Sequence, residues 1–392
     1  MISFDNTQIA FSGKTNPDLS RSYWLFKLVS NPILVNIGKS LTTVALNINL
    51  PVKWLIKPTI FKQFCGGETI IECETTVEYL GQYNIGTILD YSVEGKESEE
   101  EFNRCTSETI ATIEKASNNK NIPFCVFKIT GLARFALLEK LSKRESLSQE
   151  EANEYQHVKE RIDKICKKAF DAAVPIFIDA EESWIQQAMD DLANDMMRIY
   201  NKQKAIVYNT YQLYRTDRLD YLKKSFETAK AGNYFLGAKL VRGAYMEKER
   251  ERAKQKGYYS PIQNSKEDTD KDYDTALKFC IDNVDKIAVC AGTHNEKSSM
   301  YLVQLMEKKG IPISHPHLYF SQLLGMSDHI SFNLADAGYN VAKYVPYGPV
   351  KDVLPYLIRR AQENTSIKGQ TGRELSLIIK EKERRKNNCS IN

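Results

Sequence analysis

From residue 83 onward, short β-rich apolar runs alternate with longer charged stretches of helical patterning. No other feature constrains the fold as much. The runs are Gly86–Tyr91, Pro123–Ile129, Pro175–Ile178, Ala205–Asn209, Leu236–Val241, Ile287–Cys290, Leu318–Phe320 and Val341–Val345; the Leu318 run is the least distinct. Near-continuous apolar strands belong in a parallel sheet covered by helices. Eight strand–helix units in succession predict an α/β fold of the closed (β/α)8, TIM-barrel type. An open doubly wound sheet would carry a glycine fingerprint after its first strand, and no G-x-G-x-x-G occurs. Gly38-Lys39-Ser40 looks like the end of a P-loop, but Ile33 stands where the upstream glycine is required.

The flanks read differently. Residues 1–82 are expected to form a helical accessory region. Leu41, Val44, Ala45 and Ile48 have helical spacing, Asn31-Pro32 and Leu50-Pro51 punctuate it, and Gly66-Gly67 stops a helix carrying Phe61, Phe64 and Cys65. The barrel is expected over 83–370, and a charged tail over 371–392. Within that tail Lys380–Lys386 reads as a solvated helix end, with a membrane-surface contact as the sharper alternative.

Composition excludes several classes. With 392 residues, a core of this size needs no disulfide or structural metal. The eight cysteines form no C-x-x-C pair, and most, like Cys125 and Cys290, sit in apolar runs as reduced core residues. His315 and His317 flank Pro316 as loop residues, so no metal centre is expected. A net charge of +4 from nearly balanced signs does not imply nucleic acid. The N-terminus lacks a basic n-region and has no arginine before Arg21, and no stretch approaches ~18 uninterrupted apolar residues. These features predict a bacterial cytoplasmic protein rather than a mitochondrial one, with contact at the inner-membrane surface left open.

Barrel chemistry sits at the C-terminal ends of the strands, and polar residues recur there. The first run ends in Asp90 and Tyr91 with Glu94 beyond. The following runs end in Lys128, in Asp179-Ala180-Glu181, in Asn209-Thr210, in Lys239 through Arg242-Gly243-Ala244-Tyr245, in Thr293-His294, and in Lys343-Tyr344. Their mixed charge suits a zwitterion. In the last barrel helix Tyr356, Arg359, Arg360 and Glu363 share one face, and two adjacent guanidiniums present forked donors to one carboxylate. A salt-bridged solvent face is the competing reading. Lys128, Arg359 and Arg360 are candidates to hold a carboxylate. Asp179 would balance them or meet an ammonium. Leu240, Tyr245, Tyr344 and Tyr356 would wall a small ring. Arg242-Gly243-Ala244 offers a cation and close backbone approach to a phosphate-bearing cofactor. No nucleophilic triad or metal cluster stands out, which points to a borrowed cofactor.

The segments FKITGLARF (127–135), FIDAEES (177–183), VYNTYQLY (207–214), KLVRGAYMEKER (239–250), AGTHN (291–295), QLLGMSD (322–328), KYVPYGP (343–349) and YLIRRAQEN (356–364) closely resemble the proline dehydrogenase family, in order, over most of residues 86–366. The resemblance implies a distorted (β/α)8 barrel with its last helix over the mouth, non-covalent FAD, and oxidation of L-proline to 1-pyrroline-5-carboxylate by hydride transfer to the flavin. It also implies a quinone as electron acceptor and a separate pyrroline-5-carboxylate dehydrogenase downstream. By position, Lys128, Arg359 and Arg360 match the carboxylate clamp, Asp179 the active-site aspartate, and Glu94 a gate pairing with Arg359. Leu240, Tyr245, Tyr344 and Tyr356 match the ring walls. Ala180, Asn209, Lys239, Val241, Arg242, Gly243, Thr293, His294 and Glu363 match flavin contacts. Lys239 and Asn209 depart from the Arg and Gln of many bacterial members, and the choices here look more like the eukaryotic-type branch. Lys239 keeps the positive charge but loses the planar fork. The alternatives are 4-hydroxyproline oxidation, a barrel aldolase or lyase with Lys128 or Lys239 as Schiff-base amine, and a non-catalytic proline sensor.

Overall fold

The computed structural model describes residues 2–31, 56–93, 95–366 and 370–389, the side chains of 362–371 and 389 excepted. Eight parallel strands close in chain order: β1 Ile85–Tyr91, β2 Phe124–Lys128, β3 Ile176–Asp179, β4 Val207–Gln212, β5 Leu236–Val241, β6 Ile287–Gly292, β7 Leu318–Leu323 and β8 Val341–Tyr347. β8 returns to β1 in register from Ile85 opposite Val341 to Tyr91 opposite Tyr347. All eight expected runs are strands. β4 starts two residues late because Asn201 Oδ1 accepts the Ile206 and Val207 N–H groups, and it runs three residues further than expected. β7 also runs three residues further, to Leu323.

Alternation of side chains sorts the strands into two layers. Ile88, Phe124, Val126, Phe177, Tyr208, Ala288, Cys290, Ala342 and Tyr344 fill the barrel interior. Phe124 stacks on Phe177 at 4.5 Å and meets Tyr319 edge-on at 4.7 Å. The intervening residues, such as Leu89, Cys125, Ile178, Leu240, Val289, Phe320 and Val345, pack outward against the helices. The lower barrel is therefore plugged, and a ligand has room only at the mouth. Seven cysteines among the described residues are free and buried, as expected of a reduced core.

The helix after β8, Val350–Ser366, lies across that mouth. Its Val353, Leu354, Tyr356 and Leu357 pack with Phe61, Phe64, Cys65 and Met326. The helix stop at Gly66-Gly67 holds, since Lys62–Phe64 is helical and Cys65 is extended. Leu41, Val44, Ala45 and Ile48, Gly38-Lys39-Ser40 and the Asn31-Pro32 and Leu50-Pro51 junctions fall wholly or partly outside the described residues.

The tail departs from its expected form. Gln370–Cys389 is one helix, and its Leu377 and Ile378 are buried against Phe11, Leu19 and Phe26 of the N-terminal segment. Lys380 Nζ donates to Asp5 O at 3.0 Å, and Arg385 Nη2 donates to Phe11 O at 2.9 Å. Arg384 and Arg385 both pair with the fully buried Glu381. Charges that read as a solvated end dock the C-terminus onto the N-terminus instead.

Candidate active site

Register sets which residues face the mouth. Lys239 on β5 lies opposite Thr210 on β4 and Cys290 on β6, all on interior-facing positions. Its Nζ donates to Asp179 Oδ1 and to Tyr344 Oη. It also lies 4.1 Å from the Tyr344 ring centroid and 5.5 Å from that of Phe177. The Tyr344 hydroxyl donates to Asp179 Oδ1 at 3.2 Å. Three strands, β3, β5 and β8, thus bring an acid, a cation and a phenol to one point. Burial, with Asp179 beside it, holds the Tyr344 phenol well above its usual value, so the hydroxyl keeps its proton. On β1, burial pushes the Asp90 carboxyl above the usual carboxylate range against the pull of Lys128. Asp90 Oδ2 accepts from Ser92 Oγ at 2.6 Å, while its buried Oδ1 has no hydrogen-bond partner among the described residues. Lys128 ends β2 opposite Asp179.

The helix over the mouth adds two cations. Arg360 is buried and Arg359 half-buried. Arg359 lies over the Tyr245 ring at 5.7 Å, and Arg360 over the Tyr356 ring at 5.0 Å. Lys128, Asp179, Lys239, Tyr245, Tyr344, Tyr356, Arg359 and Arg360 are gathered at one end of the barrel. Glu94 lies outside the described residues, as does the side chain of Glu363.

Beyond β5, Arg242 is held from three sides. Nε donates to Asp270 Oδ1 at 2.7 Å, Nη1 to Thr293 Oγ1 at 2.6 Å and Nη2 to Ser298 Oγ at 2.9 Å. Gly243 follows at φ +137°, and a Cβ there would overlap the Tyr214 ring. Gly243 and Ala244 are exposed, Ala180 and Val241 half-buried, and Thr293 buried. His294 Nδ1 lies 2.9 Å from Ser327 Oγ. Burial, then the positive charges of Lys343, Arg360 and Arg242, push the His294 ring down to about 3, so it stands neutral at pH 7.

Two assigned residues face the wrong way. Leu240 follows the inward Lys239 and is therefore turned into the helix-facing core, not toward a ring at the mouth. Leu323 lies opposite Tyr344 and packs against the interior cluster instead. Asn209 likewise alternates with the inward Tyr208, and its Nδ2 donates to Asp190 Oδ1 at 2.8 Å in the helix layer. Asp190 is in turn paired with the buried Arg218 at 2.8 Å. Gln212, two residues beyond Thr210, reaches the mouth opposite Val241, and its Nε2 donates to Glu181 O at 2.6 Å. The apolar run ends at Asn209 in the sequence and so leaves Gln212 out; the period of two from Tyr208 is the signal that finds it. Both amides are buried and donate to a protein oxygen, so Asn209→Ala and Gln212→Ala are each expected to lower stability by about 1–3 kcal/mol. Thermal melts on both variants check this.

The proline dehydrogenase family profile matches residues 73–373, which spans every strand described above. The chain belongs to the proline dehydrogenase family. A relative from Dictyostelium discoideum, "Proline dehydrogenase 1, mitochondrial", is 35% identical over 97% of this chain and 74% of its own length. "Hydroxyproline dehydrogenase" of Xenopus laevis is 32% identical over 96% of this chain and 88% of its own. Among solved structures, proline utilization A of Bdellovibrio bacteriovorus inactivated by N-propargylglycine superposes with a TM-score of 0.70 at 20% identity, over 93% of this chain. That likeness concerns the fold, and this chain spans 37% of that protein. The family match corrects the expected location. The Dictyostelium proline dehydrogenase and those of fly, human and Arabidopsis are all named mitochondrial. They overturn the reading of a bacterial cytoplasm, which rested on the absence of a targeting pattern, and point to the mitochondrion. Among the described residues no helix is long and apolar enough to cross a membrane, and no cluster of side chains could hold a metal.

Proposed function

We propose that this chain is an FAD-dependent proline dehydrogenase that oxidises L-proline to 1-pyrroline-5-carboxylate. The observation that carries the reading is the meeting of Lys239, Asp179 and Tyr344 below the Arg359–Arg360 pair at the open end of a plugged barrel. The residues present fit a flavin nucleotide. Arg242, His294 and Gln212 stand beyond the strand ends, each held by a protein partner, and the exposed Gly243–Ala244 backbone permits close approach. Lys239, Val241, Thr293, Ala180 and Glu363 complete the set that would hold it, with Gln212 in place of Asn209. When bound, FAD supplies the two-electron acceptor for the C–H bond beside the ring nitrogen.

The chain's own residues do the rest. Lys128, Arg359 and Arg360 bind the carboxylate and so fix which face of the ring is presented. Tyr245, Tyr344, Tyr356 and Leu323 exclude water around the ring. Asp179 meets the substrate nitrogen's positive charge and is itself kept in place by Lys239 and Tyr344. Tyr344 keeps its proton and orients rather than abstracts. The ε-amine of Lys239 is engaged by a carboxylate and a phenol, unlike the unpaired amine a Schiff-base enzyme needs. Reoxidation by a quinone at the membrane surface, and hand-over of product to a separate dehydrogenase, complete the proposal.

The Xenopus relative's name favours a second reading, oxidation of 4-hydroxyproline. Tyr344, wedged between Phe177 and Lys239, leaves a bulky ring where a 4-hydroxyl would project. Steady-state turnover of both substrates separates the two readings. We expect proline to be preferred by kcat/KM, and equal or reversed preference would assign the second activity.

A further inference from the structure

The loop after β7 is gripped from every side. Gln63 Nε2 donates to Gly325 O at 2.9 Å, and the buried Lys343 donates to Met326 O at 2.8 Å. Asp328 pairs with Lys343 at 2.8 Å and with Lys14 from the N-terminal segment at 2.7 Å. Between them Ser327 adopts φ +52°, a left-handed conformation that a residue with a Cβ holds only when its surroundings impose it. Its N–H donates to Glu374 Oε1, on the C-terminal helix. Glu374 is itself buried at 3% exposure, in a helix that no part of the barrel chemistry has yet used.

The Ser327 hydroxyl is fully buried, and His294 Nδ1 is its hydrogen-bond partner. If Nδ1 carried the proton, the serine hydrogen would be left unpaired inside the protein, which costs free energy. Ser327 therefore donates to Nδ1, and the neutral ring carries its proton on Nε2.

We propose that Glu374 is a positioning residue for His294, acting through Ser327. Its carboxyl group pins the strained Ser327 peptide, the pinned turn aims the hydroxyl at Nδ1, and His294 is left presenting a single Nε2–H donor to the cofactor. The proposal rests on the reading of His294 as a flavin contact. It makes the C-terminal helix part of the cofactor site without touching the cofactor.

The test measures flavin dissociation constants by fluorescence on the purified holoenzyme and on Glu374→Leu, which has no acceptor for the Ser327 N–H, Ser327→Gly, their double variant, and His294→Ala. Glycine accepts φ +52° without strain, so Ser327→Gly removes the hydroxyl and leaves the turn intact. Should Glu374→Leu fail to fold, this variant carries the test alone. The expected result is a roughly tenfold weaker affinity in each single variant, with the double variant no weaker than the worse single, because both act on one ring. The 15N signals of labelled His294 should also lose the Nε2–H pattern in Ser327→Gly. Unchanged affinity in Glu374→Leu and Ser327→Gly, or effects that add, overturns the proposal while leaving the flavin site standing. Unchanged affinity in His294→Ala overturns the parent reading and this proposal with it.

Discussion

Replacing Arg360 by methionine is expected to raise the KM for proline roughly 30- to 1,000-fold, the loss of one charge-assisted partner at about 2–4 kcal/mol. Arg360 is 6% exposed, so its guanidinium acts with little solvent screening, and methionine keeps much of the aliphatic volume over Tyr356. The effect should depend on the substrate's carboxylate. Pyrrolidine has the same ring without that group, and its KM should be the same in both enzymes. Steady-state kinetics with the two amines checks both statements. A proline KM unchanged by the substitution removes Arg360 from the clamp.

Lys239→Met should be more damaging. The side chains of Lys239 and Asp179 are 7% and 14% exposed, so the change strands a carboxylate in the barrel mouth without its cation. Breaking such a pair costs about 3–5 kcal/mol of stability. The same change releases Tyr344 from one of its two polar partners and frees Asp179 to move. We expect kcat/KM for proline to fall at least ~100-fold, about 3 kcal/mol. Lys239→Arg should recover part of both losses, because it restores the charge with a longer, planar head group. Thermal melts and kinetics on the three proteins decide this; wild-type kcat/KM in Lys239→Met would show that the buried cation plays no part in turnover.

Much of the barrel was legible because apolar strand runs and charged helical runs differ in period, and no packing knowledge is needed to see the change. Leu236–Val241 was read with its true bounds, and the other seven runs differ only at their ends. Those ends decide the site. Stopping β4 at Asn209 hid Gln212, and stopping β7 at Phe320 hid Leu323. Facing direction was less legible still. Leu240 and Lys239 are neighbours in sequence, and only the closed register shows that one lines the interior and the other the helix layer. The tail misled for a different reason. Arg384 and Arg385 look like solvent charges until Glu381 is seen buried beneath them, a partner that burial creates and composition conceals. Glu374 belongs to the same class, since its partner Ser327 lies 47 residues away and meets it only after the C-terminal helix has docked.

The most direct test of the account is an anaerobic titration of the purified protein with L-proline, followed by flavin absorbance at about 450 nm. The account predicts a yellow protein whose band bleaches as proline is added, while Arg360→Met requires far more proline to reach the same extent. A band that proline leaves untouched, or a protein that carries no flavin and takes none up, would contradict it.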